Sequence, residues 1–279
     1  MREIQASQVT AAVRRMCIDA GCILPGDVRT CITQSRDRES YGPAREILDR
    51  IIQNYEIAGS EHVPICQDTG VACVFVEIGQ EVAVLGNLGE AINEGVRQGY
   101  TDGYLRKSLV CDPVRRKNTG DNTPAMIYYD IAPGDKFKIT VAPKGFGSEN
   151  MSRIKMLVPS DGLEGVKAFV IETVEAAGAN PCPPVVVGVG LGGTFDKAAF
   201  LAKKSLLRNL DDVHPDPFYA DLERELLDSV NDLGIGPQGF GGRTTALAVK
   251  ISAMETHIAG LPVAVNINCH VARHVSEVL

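Results

Sequence analysis

Apolar residues recur at three- and four-residue spacing over residues 9–18 and again over 44–57, which predicts two amphipathic helices in the first third of the chain. Pro43 suits the first turn of the second helix and Gly59 its end. Ile51, Ile52 and Tyr55 fall on its apolar stripe and are expected in the core. The period then shortens. Residues 71–78, Val-Ala-Cys-Val-Phe-Val-Glu-Ile, form a compact β-rich run with Cys73 inside it as buried filler. A helix is predicted over 88–100 and a polar, basic connection over 103–121. Residues 128–131 and 136–141 read as a strand pair turned by Pro133-Gly134-Asp135. A glycine loop, Lys144-Gly145-Phe146-Gly147-Ser148-Glu149-Asn150, ends this half.

The second half carries a clearer pattern. Residues 162–177 are amphipathic, 185–189 read as a strand buried on both faces, and 195–207 and 217–233 read as helices. A glycine-rich loop over 234–242 precedes two β runs, 246–251 and 262–267. The alternation predicts an α/β fold of two lobes, each a small mixed sheet flanked by helices, with a break near residues 150–165. No internal repeat or low-complexity tract is visible in the sequence.

Composition narrows the class. With 279 residues, 44% apolar and 23% charged, the chain can bury a sizeable core. A net charge of -7 argues against a nucleic-acid or anionic-membrane partner. No run of apolar residues reaches the ~18 needed to span a bilayer, and residues 1–5 lack the pattern of a secretory signal. Eight cysteines in that context read as reduced thiols or metal ligands, and the expected compartment is the cytoplasm.

Three of those cysteines differ from the rest in setting. Cys66, in Pro64-Ile65-Cys66-Gln67-Asp68-Thr69-Gly70, Cys182, in Asn180-Pro181-Cys182-Pro183-Pro184, and Cys269, before His270, each lie at a loop–strand junction. Cys17, Cys22, Cys31, Cys73 and Cys111 lack that setting. No Cys-x-x-Cys pair is present, so spacing leaves buried thiols, zinc and an iron–sulfur cluster all open. Asp68 is either a turn cap or a proton-moving carboxylate beside a metal. His257, in a connection between two β runs, is either structural or tunes a nearby acid. Arg106 is an exposed loop charge or a fork for a carboxylate. Gly188-Val189-Gly190-Leu191-Gly192-Gly193 formally matches the dinucleotide fingerprint. The Asp211-Asp212 pair that follows leads into a helix, however, so a close strand-to-helix turn is the preferred reading. The loop at 144–150 has the composition of a phosphate cradle without the spacing of a P-loop.

Taken together and in order, residues 64–70, 144–152, 180–184, 187–193 and 233–239 with Cys269-His270 resemble the α subunit, or N-terminal catalytic domain, of class I iron–sulfur fumarate hydratases. L-tartrate dehydratase α subunits belong to the same family. The resemblance covers essentially the whole chain, as a single catalytic domain over 1–279. It implies a [4Fe–4S] cluster held by Cys66, Cys182 and Cys269 in the groove between the lobes, with one iron open to a substrate oxygen. Gln67 and Asp68 match the family's substrate-contacting pair, Arg106 its carboxylate-binding arginine, which a dimer partner could donate, and Gly147 the loop lining the pocket. His257 is similar to a histidine paired with that aspartate. The second domain of single-chain members is missing, which implies a separate β subunit and a dimer of αβ units. The chain stops ten residues after Cys269, so a ligand there is expected to need cover from another chain. Reversible hydration of fumarate to L-malate is the expected reaction. The 144–150 loop looks more like fumarase than tartrate dehydratase, a related dicarboxylate is also compatible, and a non-catalytic iron–sulfur sensor is the alternative of a different class.

Overall fold

A computed structural model describes all 279 residues. In chain order the elements are β1 (Arg2–Gln5), α1 (Ala6–Cys22), α2 (Gly26–Arg38), α3 (Gly42–Glu61), β2 (Val71–Gly79), β3 (Val82–Leu85), α4 (Leu88–Asp102), β4 (Met126–Ala132), β5 (Phe137–Lys144), α5 (Phe146–Glu149), β6 (Arg153–Leu157), α6 (Gly162–Ala177), β7 (Val185–Gly193), α7 (Phe195–Ser205), α8 (Pro217–Asp232), β8 (Ala246–Thr256), β9 (Leu261–Asn268) and β10 (Val275–Val278). No helix is long and apolar enough to cross a membrane.

Local signals account for most of the boundaries. Asn87 caps α4 by accepting from the Glu90 amide, and Asp216 caps α8 by accepting from Phe218, with Pro217 in its first turn. One expectation fails locally. Gly59 does not end α3, which runs on to Glu61; the left-handed residue that turns the chain is His62, at φ 57°. Helix α2 escapes the periodicity because its buried stripe is only Val28, Ile32 and Ser35 on a polar helix.

The chain divides into two compact units, Met1–Leu24 with Asn54–Phe146 and Arg273–Leu279, and Pro25–Gln53 with Gly147–Ala272. The first has a four-stranded sheet in the order β10-β5-β2-β4 and a two-stranded parallel ribbon, β1-β3. Val74, Val76, Phe137, Ile139 and Val141 of this sheet share a core with Val9, Val13 and Met16 of α1 and Ile92 and Val96 of α4. The expected β4–β5 hairpin is absent. β2 lies between the two, parallel to β4 and antiparallel to β5. Backbone bonds from Gln80 to Ala132, Glu81 to Gly134 and Gly79 to Lys136 show why: the Pro133-Gly134-Asp135 turn wraps the end of β2 rather than closing a pair.

The second unit has a four-stranded sheet in the order β6-β9-β7-β8. Val166, Val170 and Val174 of α6 and Leu222, Leu226 and Val230 of α8 pack with Val187, Val189, Val249 and Val265. Ala198 and Ala202 of α7 form a smaller cluster with Ala264. β7 is buried along nearly its whole length, as expected of a strand covered on both faces.

The two sheets share one plan. In each, a central strand pairs parallel with the next strand on one side and antiparallel with the third on the other; the third then carries a fourth, antiparallel edge strand. The fourth strand is exchanged: β6 follows β5 in the chain but pairs with β9, and β10 follows β9 but pairs with β5. A repeat of topology is therefore present where the sequence shows none, because pairing depends on backbone and burial pattern, which different side chains satisfy equally well.

Candidate active site

In the first unit the structure brings Cys66, Gln67, Asp68 and Arg106 together. The Asp68 carboxylate accepts from Gly70 N at 3.1 Å through Oδ1 and from Phe146 N at 2.9 Å through Oδ2. Arg106 of the same chain approaches Oδ1 through Nη2 at 3.4 Å, longer than a well-formed ion pair. Its side chain is 55% exposed, so the guanidinium remains accessible to a solute anion. The Asp68 amide donates to Cys66 Sγ at 3.4 Å, and Cys66 Sγ lies 3.4 Å from Gln67 Oε1, to which it donates as a thiol. Gln67 is exposed.

The sequence folds this way because the turn is built for close approach. Gly70 adopts φ +77°, and a Cβ there would stand 2.7 Å from the Lys144 carbonyl carbon. The fully buried Tyr100 hydroxyl lies 2.9 Å from Thr69 O and 3.1 Å from Gly70 O, donating its one proton to this pair of carbonyls. Asn122, also fully buried, donates to Gly70 O and accepts from the amides of Ser108 and Leu109. It thereby fixes the segment bearing Arg106, whose carbonyl accepts from Thr69 Oγ1. Arg273 Nη2 donates to Asp68 O at 2.7 Å. Tyr100, Asn122 and Arg273 went unnoticed in the sequence: each is one polar residue among apolar or loop positions, and no spacing marks its partner.

In the second unit the structure brings Cys182 together with the residue after Cys269. Cys182, at φ 55°, is exposed, and its carbonyl accepts from His270 Nδ1 at 3.0 Å. Gln238 of the glycine-rich loop donates to Pro183 O through both its amide, at 2.7 Å, and its side chain, at 2.8 Å. Gly147 is exposed in the short α5 turn rather than in an irregular loop. Behind it, Glu149 accepts from Lys203 Nζ at 2.6 Å and from Asn266 Nδ2 at 3.0 Å, and Ser152 Oγ accepts from Asn266 and Ile267. Glu149, Ser152, Lys203 and Asn266 line a cavity of about 270 Å³. His257 is exposed in the turn after β8, and its Nδ1 accepts from the Ala259 amide. A larger cavity of about 420 Å³, lined by Asp211, Lys250 and apolar residues of α8 and β8, contains none of the predicted site residues. The 188–193 glycines form no phosphate-binding turn. They lie within β7, where a Cβ on Gly188 would meet Ala202 O at 2.2 Å and one on Gly190 would meet Ala198 O at 2.0 Å, so the smallness of these two admits α7.

The cysteines sort by environment. Cys17, Cys22 and Cys73 are buried, and burial pushes the Cys17 thiol up to about 12. Cys31 and Cys111 each donate to a backbone carbonyl, of Leu247 and Lys117. Cys66, Cys182 and Cys269 are all partly or fully accessible and sit on loops beside strand ends. Accessible thiols are soft donors of the kind that suits an iron–sulfur cluster, and the three are divided between the units, Cys66 in the first and Cys182 and Cys269 in the second. No three or more His, Cys, Asp or Glu side chains are grouped so as to hold a metal ion.

Comparison with known proteins identifies the family. The model of the fumarate hydratase (Fumerase) family matches residues 10–278. A Methanocaldococcus jannaschii protein provisionally named L(+)-tartrate dehydratase subunit alpha is 45% identical over 258 residues, covering 90% of each chain. L(+)-tartrate dehydratase subunit alpha of Escherichia coli strain UTI89 is 36% identical over 250 residues, covering 88% of this chain and 82% of its own, and that of strain K12 is 35% identical over 249. A match running through both units and every loop described above leaves one assignment: the chain belongs to the fumarate hydratase family, together with the α subunits of L(+)-tartrate dehydratases.

Proposed function

We propose that this chain is the catalytic α subunit of a [4Fe–4S]-dependent fumarate hydratase, working in the cytoplasm with a separate β subunit, most simply as a dimer of αβ units. The observation that carries the reading is the Asp68 carboxylate, held by two backbone amides beside Arg106 and next to Cys66. Family membership supports the reaction class, and the relatives' names as α subunits support the partner. A sensor would need no such oriented carboxylate and arginine.

A [4Fe–4S] cluster held by Cys66, Cys182 and Cys269 would supply a Lewis-acidic iron with an open coordination position. The chain's own residues would do the rest. Arg106 takes a substrate carboxylate as a planar fork, and the exposed Gln67 amide and the Gly147 backbone orient it. In dehydration a C–H and the neighbouring C–O bond break, and the released proton and hydroxide leave as water. Asp68 and His257 manage the proton on the departing oxygen, while the carbon-bound proton falls to a base from the β subunit. Asp68 is suited to this because its oxygens cannot swing: each is pinned by a different strand end.

L-tartrate dehydration is the second reading, favoured by the names of the relatives. Tartrate differs from malate by one hydroxyl, which a site must hydrogen-bond or exclude. The test is co-expression with the cognate β subunit, anaerobic cluster assembly, and assay of malate and fumarate interconversion beside oxaloacetate formation from L-tartrate. Fumarate hydration exceeding tartrate turnover at least ~100-fold in kcat/KM is expected. The reverse ratio moves the assignment to tartrate. Full activity of the α chain alone would remove the β subunit from the reading.

A further inference from the structure

We propose that Arg273 is a positioning residue: its buried guanidinium clamps the Asp68 backbone and thereby sets the direction of the Asp68 carboxylate. Arg273 is 4% exposed, yet its only hydrogen-bond partner is a peptide carbonyl, Asp68 O. Its Nε and Nη1 are buried and unpaired. A buried guanidinium without a carboxylate is expensive, and filling that space with an apolar side chain would ordinarily be more stable. The arginine is therefore there for its reach and its charge.

Sheet geometry says what the reach achieves. In the order β10-β5-β2, β5 is antiparallel to both neighbours, so the starts of β2 and β10 and the end of β5 lie at one end of the sheet. Each of these ends sends a contact to Asp68. Gly70, just before β2, donates to Oδ1; Phe146, just after β5, donates to Oδ2; Arg273, just before β10, donates to the carbonyl. The two amides hold the carboxylate only while the peptide behind it stays in place. Arg273 is the group that fixes that peptide from the β10 side.

The kinetic part of the inference rests on the hydro-lyase reading; the structural part does not. Arg273→Met and Arg273→Lys are compared with wild type in the assembled αβ enzyme, by amide hydrogen exchange and by steady-state kinetics normalised to bound iron. In the methionine variant the Gly70 and Phe146 amides should exchange at least ~10-fold faster while α6 amides are unchanged. kcat should fall ~100-fold with KM within ~3-fold, and lysine should recover part of both. Unchanged exchange at both amides overturns the clamp. A loss confined to iron content, with normal kcat per cluster, reduces Arg273 to a structural residue. A wild-type enzyme without hydro-lyase activity would sink the functional reading and leave the exchange result to decide the clamp.

Discussion

Asp68 shows how a single carboxylate is committed to one orientation. Each of its oxygens already accepts a backbone N–H. Replacing it with asparagine keeps the shape but turns one acceptor into an NH2 that opposes either Gly70 N or Phe146 N. Asp68→Asn should therefore lower kcat at least ~100-fold in the assembled enzyme, with iron content per chain unchanged. Iron loss in parallel with rate would mean that Asp68 supports the ligand loop instead. Nearby, Asp121 gives a pH signature. Burial acts to raise its pKa, but hydrogen bonds from the Thr123 amide and hydroxyl and from Arg97 outweigh that and hold it at about 2, below the ordinary 3.8. A depressed carboxylate stabilises the fold fully above its unfolded pKa and loses that contribution as the pH falls through its folded one. Wild type should thus lose urea resistance between roughly pH 4 and pH 2, and Asp121→Asn should flatten part of that limb, modestly because the pair is partly exposed. An identical acid limb in the variant would assign the loss to other carboxylates. At this scale the loop setting singled out Cys66 and Asp68 in the sequence, and Arg106 entered the site only through the family resemblance. The sequence could not name Tyr100, Asn122 or Arg273, whose meaning lies wholly in the backbone atoms they reach.

Among the elements, period and caps carried most of the reading, while pairing did not. Helix α6 and the start of α8 were legible because their apolar stripes are broad and their ends are marked by glycine or Asp-Pro. The β4–β5 connection looked like a hairpin because turn chemistry reports a reversal of the chain but not whether another strand occupies the gap. The 188–193 glycines illustrate the same limit from the packing side. Their spacing suggested a close strand-to-helix turn, which Gly192 and Gly193 at positive φ provide, but not that Gly188 and Gly190 make room for the α7 backbone. A methyl at 190 would lie 2.0 Å from Ala198 O and 2.6 Å from Ala202 N, and backbone cannot give way as a side chain can. Gly190→Ala should cost ~3 kcal/mol or more in equilibrium unfolding, or prevent folding. Gly134→Ala in the β4–β5 turn, where no atom lies within 4 Å, should cost only the strain of its φ of 90°. Similar losses for the two would show that α7 is not seated on those glycines.

At the scale of the whole molecule, the loops that carry the candidate site occupy matching places in two copies of one strand plan. Cys66 and Cys182 precede the central strands β2 and β7; Gly147 and Cys269 lie where the chain leaves the third strands β5 and β9 for an exchanged fourth. The candidate loops could be picked out as motifs while the doubled topology could not, because the motifs are local in sequence and the plan is not. The arrangement can be tested through the thiols without assaying turnover. In chelator-treated chain, iodoacetamide should modify Cys111 and Cys182 fastest and Cys66 and Cys269 more slowly, and should spare Cys17, Cys22 and Cys73, because reaction needs an accessible thiolate. Cys17 is the firmest negative, since burial holds its thiol at about 12. After anaerobic loading with iron and sulfide, mass spectrometry should find Cys66, Cys182 and Cys269 protected together and Cys111 unchanged. Protection shared by those three and by no other cysteine is what three thiolates on one cluster require. If Cys182 is still alkylated at its metal-free rate while iron stays bound, the iron is elsewhere, and the ligand set proposed here is wrong.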